Sequence, residues 1–128
     1  MLIVTAPLTP ATRGMIGREQ LELMKSTSYL INVSRGDIID EESLFCVLKE
    51  NRIAGAGIDV WYQYPQRGHS LSRPSRFPFE TLGNVVMSPH RGGMIRGELP
   101  HLPDAVENLN RFATGRPLIN RVDFTKGY

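Results

Sequence analysis

The chain lacks several features that would place it in whole classes of protein. It has one cysteine, Cys46, in 128 residues, which excludes an internal disulfide and is typical of a reducing compartment. The apolar neighbours of Cys46 predict that its side chain is buried. No apolar run approaches the roughly 20 residues of a membrane span, and the first residues lack the basic start of a signal peptide. We therefore expect a cytoplasmic protein without a membrane segment.

Neither sign of charge dominates the sequence. Fifteen Lys and Arg residues against 13 Asp and Glu residues give a formal net charge of +2. The basic residues are scattered along the chain, so nucleic-acid binding is not predicted. With 41% hydrophobic residues, no low-complexity tract and no internal repeat, the composition is that of a compact globular domain. No metal site is predicted.

What the sequence does contain is a set of apolar runs that each end beside a polar residue. These runs are 29–33, 54–58 and 84–87, and Arg35, Asp59 and His90 follow them. Continuous apolar runs are typical of parallel strands that are covered on both faces, and ligands bind at the carboxyl ends of such strands. We therefore expect Arg35, Asp59 and His90 to lie at one edge of a sheet.

The remaining pattern predicts strands that alternate with helices. A strand is expected at 2–6 and a short helix at 18–25. Asp40 is suited to cap a second helix, whose apolar face would consist of Leu44, Val47 and Leu48. Strands that alternate with helices indicate βαβ units with right-handed crossovers, and hence an α/β fold with a parallel sheet.

Four short motifs occur in a fixed order: Pro7-Leu8-Thr9, Asn32-Val33-Ser34-Arg35-Gly36, Gly57-Ile58-Asp59-Val60 and Ser88-Pro89-His90-x-Gly92-Gly93. In these motifs, and from about Met1 to the C-terminus, the chain resembles the C-terminal part of the D-isomer-specific 2-hydroxyacid dehydrogenases. The resemblance implies an enzyme that transfers hydride between NAD or NADP and a small D-2-hydroxy or 2-keto acid. It also implies a partial Rossmann-like parallel sheet with flanking helices.

The first βαβ unit of that family is not found in this sequence. Its strand, its Gly-x-Gly-x-x-Gly turn and the acidic residue for the adenine ribose have no counterpart here. We therefore expect residues 1–103 to be the C-terminal half of a dinucleotide-binding domain. Residues 104–128 would be a helix and tail that return to a missing substrate domain. The choice between NAD and NADP stays open, because the residue that decides it follows the missing unit.

The C-terminal helix is expected to turn Val106, Leu109 and Phe112 inward. Pro100 and Pro103 depart from the family's unbroken helix at this place. Because proline removes a backbone donor and clashes with the preceding turn, we expect a broken or delayed helix here.

The resemblance implies catalytic roles for Arg35 and His90. The guanidinium of Arg35 can hold the carboxylate and carbonyl of the substrate in a two-point geometry. Alternatively, Arg35 closes a turn before Gly36 through a surface ion pair. His90 would exchange a proton with the carbonyl oxygen, a task suited to imidazole. His69 and His101 have no comparable sequence context and are expected at the surface.

Tyr64 stands where the family has a glutamate that orients the catalytic histidine. A neutral phenol cannot stabilise an imidazolium as a carboxylate does. Formate dehydrogenases of the same superfamily have glutamine at this place, and Gln63 is the preceding residue here. The sequence leaves open whether Gln63 or Tyr64 faces His90. It also leaves open whether the aromatic residues around Tyr64 form a wall for the substrate or cover the sheet edge.

The resemblance further implies a cofactor site. Its residues would be Ala6, Pro7, Val33, Ser34, Arg35, Asp59, His90, Gly92 and Gly93. Ala6 and Pro7 would line the dinucleotide groove, and Asp59 would accept a hydrogen bond from the nicotinamide carboxamide. Gly92 and Gly93 suit a backbone that passes close to a ligand.

Two classes of function follow from these observations. In the first, the chain is a fragment of an NAD(P)-dependent oxidoreductase, inactive alone and active with the rest of the protein or a complementing chain. In the second, it is a non-catalytic remnant or a binding and assembly module that keeps part of the fold. In both, residues 1–5 would form an unpaired apolar edge, so we expect a homo-oligomer such as a dimer, a poorly soluble chain or an only partly folded one.

Overall fold

The computed structural model describes residues 1–65, 73–94, 97 and 99–126. It divides into two compact units, Met1–Gly92 and Gly93–Tyr128. Residues 66–72 lie outside the described residues, and the surface position predicted for His69 is therefore not tested.

The first unit is built on a four-stranded parallel sheet in the order β1-β2-β3-β4. Its strands are β1 (Leu2–Val4), β2 (Tyr29–Asn32), β3 (Gly55–Ile58) and β4 (Val85–Met87). The α/β class and the parallel sheet predicted from the sequence are confirmed. Because every neighbouring pair is parallel, the carboxyl ends of all strands lie at the same edge.

Two helices connect the strands of this unit. In α2 (Glu41–Lys49), the Asp40 side chain accepts a hydrogen bond from the Ser43 amide at 2.9 Å, as expected of an N-cap. The predicted apolar face is buried: Leu44, Val47 and Leu48 are each at most 2% exposed. Cys46 is only half-buried, contrary to the prediction, because its helical position lies between that face and solvent.

The first helix, α1 (Arg18–Glu22), is shorter than the predicted 18–25. The amide of Met24 bonds to the carbonyl of Leu21 at 3.2 Å, so a tighter turn replaces the helical hydrogen bond. Leu21 is fully buried and anchors this short helix to the core.

The core lies between the sheet and these helices and continues into an aromatic cluster. Phe45 stacks on Phe77 with ring centroids 5.2 Å apart and meets Phe79 edge-on at 5.3 Å. Trp61, which is 6% exposed, meets Phe79 edge-on at 5.9 Å. The segment after β3 is therefore fixed to the core close to the carboxyl edge of the sheet.

The second unit contains one helix, α3 (Leu102–Ala113), among its described residues. It begins only at Leu102 and has Pro103 in its first turn, so the predicted delay is confirmed. The prediction of an inward face is wrong: Val106, Leu109 and Phe112 are 49%, 70% and 78% exposed. A single helix has no second layer within its unit against which an apolar stripe could be buried. Among the described residues, no helix is long and apolar enough to cross a membrane.

Candidate functional site

The predicted site residues follow successive strands of the sheet at its carboxyl edge. Arg35 follows β2, Asp59 follows β3 and His90 follows β4, so the strand of Asp59 lies between the other two. Ala6 and Pro7 follow β1, at the end of this row. Gly93 is the first residue of the second unit, and its predicted role stays a prediction.

The loops after β1 and β2 are tied together by Ser34. Its side chain is 9% exposed, and its hydroxyl donates to the carbonyl oxygen of Ala6. Ala6 is half-buried, whereas Pro7 and the neighbouring Val33 are exposed. This hydrogen bond holds the two loops together at the carboxyl edge of the sheet.

Asn32 is a site residue whose role the sequence reasoning missed. It is 1% exposed, and its Oδ1 accepts from the Ser34 amide at 3.1 Å. Its Nδ2 donates to the Arg35 carbonyl oxygen at 3.0 Å. Asn32 therefore folds the loop that presents Arg35. The sequence did contain a signal for this role, namely an asparagine at the end of an apolar strand. A polar side chain that is buried there requires hydrogen-bond partners, and the adjacent loop can provide them.

Arg35 is exposed, and its Nη1 donates to the carbonyl oxygen of Ser34 at 2.7 Å. Among the described residues, none of the observed ion pairs involves Arg35, so the alternative of a surface ion pair has no support there. The next residue explains the close packing of this loop. A Cβ on Gly36 would lie 2.6 Å from the Trp61 carbonyl oxygen.

Asp59 is 7% exposed and holds the turn after His90. Its Oδ1 accepts from the Arg91 amide at 2.8 Å, and its Oδ2 accepts from the Gly92 amide at 2.7 Å. Burial alone would raise the pKa of this carboxyl. Hydrogen bonds from Ser88, Gly92 and Arg91 outweigh it, so the pKa of Asp59 lies below its ordinary value. Asp59 is therefore an anion at neutral pH.

His90 is exposed and adopts a positive φ of 58°. The Tyr64 ring lies beside it, with centroids 5.6 Å apart and planes tilted by 46°. The hydroxyl of Tyr64 accepts a hydrogen bond from the Trp61 amide at 3.0 Å. The sequence left open whether Gln63 or Tyr64 faces His90. In the structure, the ring of Tyr64 lies beside the imidazole, and its hydroxyl is bonded to the Trp61 amide.

Beside Tyr64 lies an apolar cleft of about 440 Å³. It is lined by Trp61, Gln63, Tyr64, Pro65, Pro74, Met87, Ser88 and Pro89. Trp61 also donates from Nε1 to the Ser88 carbonyl oxygen at 2.9 Å, so it joins the segment after β3 to the segment after β4. Trp61 is thus part of the core at the sheet edge, whereas Tyr64 forms an open wall near His90.

Two further charged or titratable residues have other surroundings. Arg76 bonds to Glu41 at the start of α2. His101 belongs to the second unit and is exposed at the start of α3. Among residues 1–65, 73–94, 97 and 99–126, no group of three His, Cys, Asp or Glu side chains is placed to hold a metal ion.

Comparison with known proteins places this chain in a family. A family model described as the D-isomer specific 2-hydroxyacid dehydrogenase NAD binding domain matches residues 1–92. Glycerate dehydrogenase of Methylorubrum extorquens is 36% identical over 118 residues, which are 91% of this chain and 36% of that protein. Glyoxylate reductase of Korarchaeum cryptofilum is 42% identical over 110 residues, which are 85% of this chain and 31% of that protein.

A solved structure gives the same result. A D-isomer specific 2-hydroxyacid dehydrogenase from Xanthobacter autotrophicus, crystallised with NADPH and MES, superimposes with a TM-score of 0.81 and 34% identity. The match covers 98% of this chain and 49% of that chain. The chain thus spans about a third of the length of these curated relatives and half of the solved one. On its motifs, its sheet and these matches, the chain belongs to the D-isomer specific 2-hydroxyacid dehydrogenase family, and its residues 1–92 match the NAD-binding domain of that family.

Proposed function

We propose that this chain forms the nicotinamide and substrate side of a site that interconverts a small 2-oxo acid and its 2-hydroxy acid, in the D configuration where C2 of the product is chiral. The observation that carries the proposal is the placement of Arg35, Asp59 and His90 at the carboxyl ends of three adjacent parallel strands. Ligands bind at this edge in open α/β sheets. A cation for a carboxylate and an imidazole for a carbonyl oxygen suit this substrate class.

The residues around Asp59 fit a nicotinamide. An ideal Cβ on Gly92 would lie 2.8 Å from Asp59 Oδ2 and 3.8 Å from Val33 Cγ1, so an anion and an apolar group adjoin the same point. Val33 is 44% exposed. A flat ring with a carboxamide needs both an apolar surface and an acceptor for its N–H groups. The cofactor, when bound, supplies or accepts the hydride.

Val33 and Asp59 would hold the nicotinamide end, while Ala6, Pro7 and Ser34 line the adjoining groove. Each oxygen of Asp59 accepts a hydrogen bond from one backbone amide. A carboxylate oxygen has a second lone pair, which can accept a hydrogen bond from a further donor. Gly92 permits the close approach of the turn, and Gly93 continues it in the sequence.

Arg35 binds the carboxylate of the substrate, and His90 exchanges a proton with its carbonyl oxygen. The guanidinium of Arg35 makes one hydrogen bond to the loop, which leaves further N–H donors for the substrate carboxylate. His90 gives a proton to the carbonyl oxygen in the reductive direction and takes it back in the oxidative direction. Tyr64 packs against the imidazole and supplies no negative charge to it.

The names of the relatives favour the smallest substrates of this class. They include glycerate dehydrogenase, glyoxylate reductase and glyoxylate/hydroxypyruvate reductase. We propose glyoxylate or hydroxypyruvate as the oxo acid, NADH or NADPH as the reductant, and a homo-oligomer or a complementing chain as the assembly that completes the site.

The test is the oxidation of NADH and of NADPH with glyoxylate by the protein that carries this chain. We expect His90→Gln to lower kcat about 100-fold or more, since a general acid contributes about 10²–10⁴-fold. Arg35→Lys should raise KM and lower kcat/KM by roughly tenfold or more, because a charged hydrogen bond is worth about 1.5–3 kcal/mol.

Matched controls are His101→Gln and Arg73→Lys, two exposed residues of the same types to which the proposal assigns no role. Both should retain the activity of the unchanged protein. Activity that survives His90→Gln unaltered would contradict the assignment of the acid. If no turnover and no fluorescence change with NADH are detected, the alternative of a non-catalytic binding or assembly module takes its place.

A further inference from the structure

One carboxylate fastens the turn of His90 to the sheet. Asp59 directly follows β3, and its two oxygens accept from the amides of Arg91 and Gly92 at 2.8 and 2.7 Å. These are the two amides that follow His90 in the chain. Successive amides that converge on one anion form a concave backbone arrangement suited to binding it.

The turn has a conformation that needs such support. The φ of His90 is 58°, in the left-handed region that is unfavourable for an ordinary L-residue. Gly92 packs against the same carboxylate, and a Cβ there would come within 2.8 Å of Asp59 Oδ2. A side chain at position 92 would therefore displace the Asp59 carboxylate, even when no ligand is considered.

We propose that Asp59 is a positioning residue for His90, whose carboxylate latches the turn at 90–92 and thereby sets the direction of the imidazole. The importance of that direction rests on the proposed function, whereas the latch is a property of the chain alone. The two backbone amides use one lone pair on each oxygen. Asp59 can therefore accept a hydrogen bond from a bound carboxamide at the same time.

The groups that face Asp59 keep the latch closed at neutral pH. The main contributions come from the hydroxyl of Ser88 and the two backbone amides, and His90 adds a smaller one. Against the cost of burial, they hold the pKa of Asp59 below its ordinary value. Protonation in acid would remove the charge that draws both amides inward.

The test is amide hydrogen exchange in the ¹⁵N-labelled 128-residue chain, read by NMR. In Asp59→Asn, we expect the amides of Arg91 and Gly92 to exchange about tenfold faster or more, since each loses a charged acceptor. Gly92→Ala should do the same by steric collision. Gly83→Ala is the matched control, because a Cβ there meets nothing within 4 Å.

Two internal readouts separate the latch from general stability. The Ala56 amide, bonded to the Asn84 carbonyl oxygen at 3.0 Å, should keep its exchange rate in each variant. The nuclear Overhauser contact between the rings of Tyr64 and His90 should weaken in Asp59→Asn. Unchanged exchange at Arg91 and Gly92, or equal acceleration at Ala56, would overturn the proposal.

A measurement on the unchanged chain covers the case in which the variants do not fold. As the pH falls from about 5 to 2, the amide proton signals of Arg91 and Gly92 should move together with the protonation of Asp59. Amide proton signals of Arg91 and Gly92 that do not shift over this pH range would overturn the proposal. Neither experiment requires turnover, so a failed activity assay and a failed latch are distinguishable.

Discussion

Gly36 shows how a single missing side chain shapes this site. A Cβ at Gly36 would lie 2.6 Å from the carbonyl oxygen of Trp61 and 2.7 Å from its carbonyl carbon. Both atoms belong to the backbone, which cannot move aside as a flexible side chain can. The loop that carries Arg35 therefore packs directly against the segment that leads to Tyr64, and the glycine sets the distance between two parts of the site.

We expect Gly36→Ala to lower the free energy of unfolding by about 2 kcal/mol or more, as overpacking of a tight contact does. Urea unfolding followed by tryptophan fluorescence measures this, because Trp61 is the only tryptophan in the chain. Gly83→Ala, where nothing lies within 4 Å, should change the same quantity by less than about 1 kcal/mol. Equal effects of the two substitutions would contradict the close-contact argument.

The residue scale also shows what sequence patterns can say about a site. The placement of Arg35, Asp59 and His90 at one sheet edge followed from the apolar runs that precede them, since parallel strands end together. The contacts of Asn32 and of Tyr64 did not follow, because they depend on side-chain directions in loops. No periodicity encodes those directions. The catalytic and cofactor roles themselves remain predictions.

At the scale of elements, α2 is fastened at its start by a buried acid. Glu41 is 7% exposed, and its Oε1 accepts from the Ser75 hydroxyl at 2.8 Å and from the Arg76 amide at 2.9 Å. Its Oε2 accepts from Arg76 Nε at 2.7 Å. Although burial opposes the charge, the bonds from Arg76 and Ser75 hold the pKa of Glu41 below its ordinary 4.5.

This lowered pKa predicts a loss of stability in acid. A carboxyl with a depressed pKa contributes stability above its unfolded pKa and loses it as the pH falls through the folded one. Glu41→Gln should therefore lower the free energy of unfolding at pH 7 by about 1–3 kcal/mol. Arg76 is 67% exposed, so its guanidinium adds little to that range.

The difference between Glu41→Gln and the unchanged chain should shrink as the pH is lowered from 5 to 3, as measured by urea unfolding at each pH. The exposed neighbour Glu42, in the same first helical turn, provides the matched control as Glu42→Gln. A difference that stays constant over this range would show that the charge of Glu41 plays no part.

The elements also differ in how well the sequence predicts them. The start and apolar face of α2 were predictable, because the cap and the 3.6-residue period are both local signals. The early end of α1 was not, since a hydrogen bond from Met24 to Leu21 decides it. The burial of Val106, Leu109 and Phe112 was predicted wrongly. An apolar stripe shows which face of a helix is suited to burial, but it gives no information on the surface that would bury it.

At the scale of the whole molecule, the edge of the sheet formed by β1 is the feature with the largest consequence. Within the described residues, β1 pairs on one side with β2 and on its other side with no strand. Leu2 and Ile3 on this strand are 37% and 50% exposed. An apolar strand with an open row of backbone donors and acceptors is a template for pairing with another chain.

We therefore expect the 128-residue chain to self-associate in solution through β1. Ile3→Lys should shift it toward the monomer, because a charged side chain on an edge strand opposes pairing and apolar contact. Sedimentation velocity over a range of concentrations measures the change. Leu23→Lys is the matched control: Leu23 is 85% exposed and lies outside the sheet, so it should leave the association unaltered. A single monomeric species at every concentration would contradict self-association through β1. If Leu23→Lys reduces the association to the same extent as Ile3→Lys, added charge in general controls the association, and the edge of β1 does not.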